Sequence, residues 1–221
     1  MKIISIDDRL KDIASLVDNC NCIADIGTDH AYLPIYLILN GQIKKAYASD
    51  VAIGPLNKAK ENIVKYNLTD SITPILTNGL EKIPNDVDCV IMAGMGANLI
   101  MEIISKKKFD YKLMILQANL NVNYLREFLM NNNYKIIDEK VSYTNKKYYE
   151  IIKVTIGKQD LTKQEIKYGP INLIKRSPLF IEKWQNILNN YKRIISDFKG
   201  SNVELNRLNN EISDIENMLN N

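Results

Sequence analysis

Apolar positions along the first 157 residues switch repeatedly between helical and extended spacing. Behind Ser5, a candidate cap, Ile6, Leu10, Ile13, Leu16 and Val17 recur as on one helix face over 5–17, with acids in the first turn. A short apolar run, Cys22 to Ile26, ends at Gly27 and predicts a buried strand. Tyr32 to Asn40 predicts a short helix, with Pro34 in its first turn and Gly41 as its stop. Strands are then expected at 45–50, 72–76, 87–93 and 112–117, and helices from Pro55 to about Asn67, at 98–104 and at 122–130. Two further strands, 134–142 and 148–156, flank the polar turn 144–147. Five β/α units and a hairpin predict an α/β domain over 1–157. Its sheet is mostly parallel, with helices on both faces and an antiparallel edge.

The pattern changes after Gly157. Residues 158–177 read as polar and irregular. Phe180, Trp184, Ile187, Tyr191, Ile194 and Phe198 then step by 4, 3, 4, 3, 4, and Leu205, Leu208, Ile212, Ile215 and Leu219 by 3, 4, 3, 4. Lys199 to Asn202 separates the two seams, with Gly200 as a stop and Ser201 or Asn202 as a cap. An alternating 3/4 step is a heptad seam, so 158–221 is expected to form a helical coiled-coil hairpin. Charge divides here too. Residues 158–199 hold nine basic against four acidic residues, and 200–221 hold one against four. The first arm, with Lys175, Arg176, Lys192 and Arg193, is the candidate for touching phosphate, although such a balance also suits an ordinary solvated surface.

Composition narrows the classes. Apolar residues at 46% and charged residues at 25% are globular values, and a net charge of +3 permits an anionic partner without requiring one. Three cysteines and one histidine leave no paired disulfide framework and no multi-histidine metal site, which points to a reducing cytoplasm. No apolar stretch reaches bilayer length, so no membrane partner is expected.

The candidate chemistry lies at the strand ends. The first strand closes as Asp25-Ile26-Gly27-Thr28-Asp29-His30, an acid, a glycine turn and then a helix. That order holds a nucleoside cofactor in a doubly wound fold. Asp50 ends the second strand, placed to accept hydrogen bonds from both ribose hydroxyls. One glycine in place of three, followed by Asp29, disfavours a pyrophosphate and therefore NAD or FAD. S-adenosylmethionine, cationic and without phosphate, suits the loop. Asn78-Gly79 and Ala93-Gly94-Met95-Gly96 follow the third and fourth strands, giving an adenine contact and room for a flat ligand.

The segments DIGTDHAYLP, NGLEKI, IMAGMGANLI, LILQANLNVNYLREFL and KKYYEI, with Tyr168 to Trp184 downstream, resemble the bacterial tRNA (adenine-N1)-methyltransferases that act on position 22, TrmK-like. The resemblance implies a class I methyltransferase (Rossmann-like) fold with a C-terminal coiled coil, S-adenosylmethionine as cofactor, S-adenosylhomocysteine as product, and tRNA as partner. It implies a cofactor set of Arg9, Asp25, Gly27, Thr28, Asp29, His30, Asp50, Val51, Asn78, Gly79, Ala93, Gly94 and Met95. Asp29 would also act in catalysis, on the N6 amino group of the target adenine, and Tyr32 and Asn119 would line the substrate mouth. Thr28, Asp50 and Ala97 stand where the family often has Ser, Glu and Gly. Several residues keep structural readings beside these. Asp25, Asp29 or Asn119 could cap a helix, His30 could be a hydrogen-bonded loop residue, and Arg9 could pair with an acid on its own helix. A monomer is expected, with the coiled coil as the surface for any weak dimer, and no DNA. Two rival functions stay open: a cofactor- and RNA-binding protein without methyl transfer, and a methyltransferase on a non-RNA substrate.

Overall fold

The computed structural model describes residues 4–196 and 201–220. The chain divides into two units, Met1–Ile174 and Lys175–Asn221.

The first unit is built on seven strands: β1 (Cys22–Ile26), β2 (Lys45–Asp50), β3 (Ile72–Leu76), β4 (Cys89–Met95), β5 (Leu113–Ala118), β6 (Tyr134–Thr144) and β7 (Lys147–Ile156). They lie in the order β3-β2-β1-β4-β5-β7-β6. The first five are parallel, and β7 runs antiparallel between β5 and β6. All five residues of β1 are buried, because helices cover both faces of the sheet. Cys22, Ala24 and Ile26 join one core, with α4 (Ala97–Ser105) and α5 (Val122–Asn131) above them. Ile23 joins the other, with α1 (Asp8–Ser15), α2 (Tyr32–Leu39) and α3 (Ile53–Lys65). Strand order reverses between β1 and β4, which opens a crevice at their carboxyl ends.

Three expectations need correction. The first helix is capped by Asp7, whose side chain accepts from Leu10 N, and not by Ser5. Ile4 and Ile6 are buried ahead of it. The fourth strand runs through Gly94 to Met95, and its ladder with β5 slips between Ala93 and Met95.

The third correction moves the boundary. Residues 158–177 contain α6 (Lys163–Tyr168) and α7 (Pro170–Lys175), the former opened by a capping box between Thr162 and Glu165. Arg126 of α5 is wholly buried beneath them. Its guanidinium meets Glu139 Oε1 at 2.8 Å and the carboxylate of Glu150, and reaches the carbonyl oxygens of Ile166 and Lys167 at 3.3 and 3.4 Å. Glu139 Oε2 accepts from the N–H groups of Ile171 and Asn172 at 2.9 and 3.2 Å. This network ties 158–174 into the first unit, so the compact division falls after Ile174 and not after Gly157.

In the second unit α8 (Pro178–Ser196) packs on α9 (Asn202–Asn220). Ser201 caps α9, its Oγ accepting from Glu204 N while the Glu204 carboxylate accepts from Ser201 N. Phe180, Trp184 and Leu188 are buried in α8, and Ile215 and Met218 in α9. Ile194 is exposed and Ile195 half-buried, so the expected seam shifts by one residue near the helix end. Phe198, Lys199 and Gly200 lie outside the described residues. Among the described residues no helix is long and apolar enough to cross a membrane.

Candidate active site

The carboxyl end of β1 sets the site. Asp25 is buried, and Thr28 Oγ1 donates to its Oδ2 at 2.6 Å. Burial pushes the Asp25 carboxyl up to about 6, against the opposing pull of the Thr28 hydroxyl. Gly27 turns the chain with φ +71°, and a Cβ there would collide with Met95 Cε. The turn is pinned to the next strand by Thr28 N donating to Ser49 O at 2.8 Å.

Asp29 and His30 follow on the rim. Asp29 Oδ1 lies 3.3 Å from His30 Nε2, and the His30 ring stacks on Tyr32 at 5.3 Å between centroids. The carboxylate of Asp29 does not cap α2; its main-chain carbonyl accepts from Tyr32 N instead. The carboxylate therefore stays at the crevice, 78% exposed, where a ligand can reach it. His30 is fixed in the loop by Asn62 Nδ2 donating to its carbonyl.

Arg9 reaches across from α1. Its Nη1 donates to Gln117 Oε1 at 2.7 Å, and its guanidinium carbon lies 5.5 Å from the centroid of Tyr149. Arg9 thus points to the strand ends and does not pair along its own helix. Arg9, Asp25, Gly27, Asp29, Leu33 and Ala93 line one pocket.

The neighbouring strand ends extend the crevice. Asp50 Oδ1 accepts from Ala52 N at 2.7 Å, and exposed Val51 follows it. Asn78 and Gly79 come after β3 and line a second pocket with Leu99 and Lys106. At the end of β4, Gly94 has φ +77°. Asn119 is not a helix cap: its Nδ2 donates to Gly94 O at 2.8 Å, and Asn121 stands at the cap position of α5.

The structure therefore gathers Arg9, Asp25, Gly27, Asp29 and Ala93 around one pocket, with Thr28 beneath and Gly94, Met95 and Asn119 beside it. Asp50, Val51, Asn78 and Gly79 lie along the strand ends on the β2 and β3 side. Lys175, Arg176, Lys192 and Arg193 belong to the second unit. There, Arg176 bonds main-chain carbonyls, Lys192 pairs with Glu216 at 2.5 Å, and Arg193 donates to Asn190 at 3.0 Å. Sequence reasoning missed Gln117 as a site residue. Its signal was a lone amide, next to last in an otherwise apolar strand.

The donor set fits S-adenosylmethionine. A cation and two carboxylates around a glycine turn suit an amino-acid end carrying both charges beside a sulfonium. The same acids would repel a pyrophosphate.

An open sheet of this order, with β7 antiparallel and an acid–glycine turn at the reversal point, is that of a class I methyltransferase. Within that class the chain belongs to the TrmK family, tRNA (adenine(22)-N(1))-methyltransferase, whose model matches residues 23–217. A Bacillus subtilis tRNA (adenine(22)-N(1))-methyltransferase is 32% identical over 204 residues, 88% of this chain and 86% of the relative. The structure of Mycoplasma capricolum TrmK with S-adenosyl-homocysteine superposes with a TM-score of 0.86 at 34% identity, covering 97% of this chain and 98% of that one. Streptococcus pneumoniae Sp1610, in complex with S-adenosyl-L-methionine, gives 0.88 at 33% identity, covering 97% and 100%.

Proposed function

We propose that the chain transfers a methyl group from S-adenosylmethionine to N1 of the adenine at position 22 of tRNA, in the crevice above β1, β2 and β4. The observation that carries this reading is the pocket joining Arg9, Asp25 and Asp29 around Gly27, within the family assignment. The bound cofactor supplies a methyl group already activated on a sulfonium. Arg9 and Asp25 hold its carboxylate and ammonium. Asp50 and Val51 take the ribose, Asn78 and Gly79 take the adenine side, and Thr28, His30, Ala93, Gly94 and Met95 shape the walls.

Adenine N1 has a free lone pair, so no proton has to leave before attack. The residues therefore act by position and by excluding water, effects worth about 7–11 kcal/mol of barrier when geometry is good. Asp29 accepts from the N6 amino group of the target base, and its charge stabilises the positive charge that develops on the ring. N1 lies on the pairing edge, so the adenine must leave its stack; Tyr32 and Asn119 stand at the mouth that receives it. The second unit supplies further tRNA contact through Lys175, Arg176, Lys192 and Arg193. We place the enzyme in the cytoplasm, as a monomer.

The test is incubation with total tRNA and labelled S-adenosylmethionine, then nucleoside analysis. Labelled 1-methyladenosine at position 22 is expected. Label in another nucleoside, or none in tRNA, overturns the reading.

A further inference from the structure

Gln117 is a neutral amide, wholly buried at the carboxyl end of β5. A buried amide has to find partners for its polar atoms. Its Oε1 accepts from Arg9 Nη1 at 2.7 Å and from Gly94 N at 3.0 Å. Its Nε2 donates to Asn119 Oδ1 at 3.1 Å. The main-chain N–H of Gly94 can only donate, so the amide has one orientation: oxygen toward Arg9 and Gly94, nitrogen toward Asn119. Asn119 closes the ring by donating to the Gly94 carbonyl at 2.8 Å. Both polar groups of Gly94 are thus held by side chains, Gln117 within β5 and Asn119 just past its end, at the point where the β4–β5 ladder slips.

Arg9 is braced by neutral groups alone, the Gln117 amide oxygen and the Tyr149 ring. Among the described residues no carboxylate forms an ion pair with it. A glutamate at 117 would meet the same distances but would neutralise the guanidinium. A neutral anchor fixes the side chain and leaves its charge for a ligand in the pocket that Arg9 lines.

We infer that Gln117 is a positioning residue for methyl transfer: its amide oxygen, oriented by Gly94 and Asn119, aims the Arg9 guanidinium at the carboxylate of the bound cofactor. This rests on the cofactor reading given above.

The test is a double-mutant cycle on the full chain, with S-adenosylhomocysteine binding measured by calorimetry. Gln117→Met and Arg9→Met should each weaken binding about tenfold or more, as expected for one lost hydrogen bond to a charged group. The pair should bind little worse than Arg9→Met alone, because Gln117 acts through Arg9. A residue that only supported the fold would add its loss in full, and full additivity overturns the proposal, as does unchanged affinity in Gln117→Met. If Gln117→Met fails to fold, the cycle is run with Gln117→Glu. That variant keeps the shape and the acceptor oxygen but should bind weakly, because it neutralises Arg9; full affinity in it overturns the proposal. An unaltered chain that binds no S-adenosylhomocysteine removes the cofactor site itself and the proposal with it, a result distinct from any confined to one variant.

Discussion

Arg126 and Glu139 form an ion pair 2.8 Å long in which neither side chain is exposed. Burial pushes the Glu139 carboxyl up, and the guanidinium pulls it back without cancelling the shift. Glu150 meets the same guanidinium, and the free oxygen of Glu139 holds the start of α7. Arg126→Met should therefore destabilise the chain by about 3–5 kcal/mol, since it leaves two buried carboxylates without their cation. Those carboxylates can accept protons in acid, so the deficit should shrink as pH falls. Urea unfolding at neutral and mildly acidic pH checks both statements; a deficit independent of pH would contradict the second.

The same network decides where the first unit can be cut. A chain ending at 174 keeps α6 and the main-chain donors to Glu139, whereas one ending at 157 loses them. The longer truncation should fold cooperatively and bind S-adenosylhomocysteine. The shorter one should melt at clearly lower temperature. With the second unit gone, tRNA methylation should collapse in both, because phosphate contacts supply most non-specific nucleic-acid affinity. Methylation by the 1–174 chain at the full-length rate would reduce the second unit to a stability element.

Asp25 makes stability depend on pH in a defined direction. Its carboxyl titrates near 6 in the folded chain against an ordinary value of 3.8. The folded state thus holds the proton more tightly. The group favours folding most below the ordinary value, and that contribution is lost as pH rises through about 4–6. Above this window the buried charge costs about 3 kcal/mol in the cofactor-free chain. Asp25→Asn should therefore raise the melting temperature at pH 8 and change it little at pH 4. The same variant should bind cofactor more weakly at pH 8 and lose the fall in affinity expected for the unaltered chain below about pH 6. Melting curves and calorimetry across the range test this; parallel profiles would count against it.

Asp29 is separable from Asp25 by kinetics. Its carboxylate is exposed and does not cap α2. Asp29→Ala should lower kcat by 10-fold or more, about the 1.4 kcal/mol that a tenfold change represents, with a smaller effect on cofactor affinity. Equal losses in the two would place it in cofactor binding alone.

Much of this was legible because β1 and β4 are apolar runs with Asp25 and Gly94 next to last, and β2 ends on Asp50. The exceptions share a physical cause. Glu139 and Glu150 lie 13 and 24 residues from Arg126 in the chain, and no local pattern joins the three. Helices α6 and α7 have six residues each, too few to establish a period, although Thr162 and Glu165 spelled a capping box. Arg9 finds its oxygen 108 residues away, a pairing that no local pattern encodes. Ile6 fell on the helical seam by spacing alone, while the acid beside it was the true cap.

Arg176 has a consequence for how the second unit bears load. Its two guanidinium nitrogens donate to the carbonyls of Met218 and Leu219, at 2.9 and 2.7 Å, across 42 and 43 residues of chain. The first residues of the unit thus fasten its last turn, where carbonyls have no partner further along the helix. A pull on the two ends would meet this clasp before either helix began to unwind. The hairpin is in effect a closed loop, drawn shut between Arg176 and the last turn of α9.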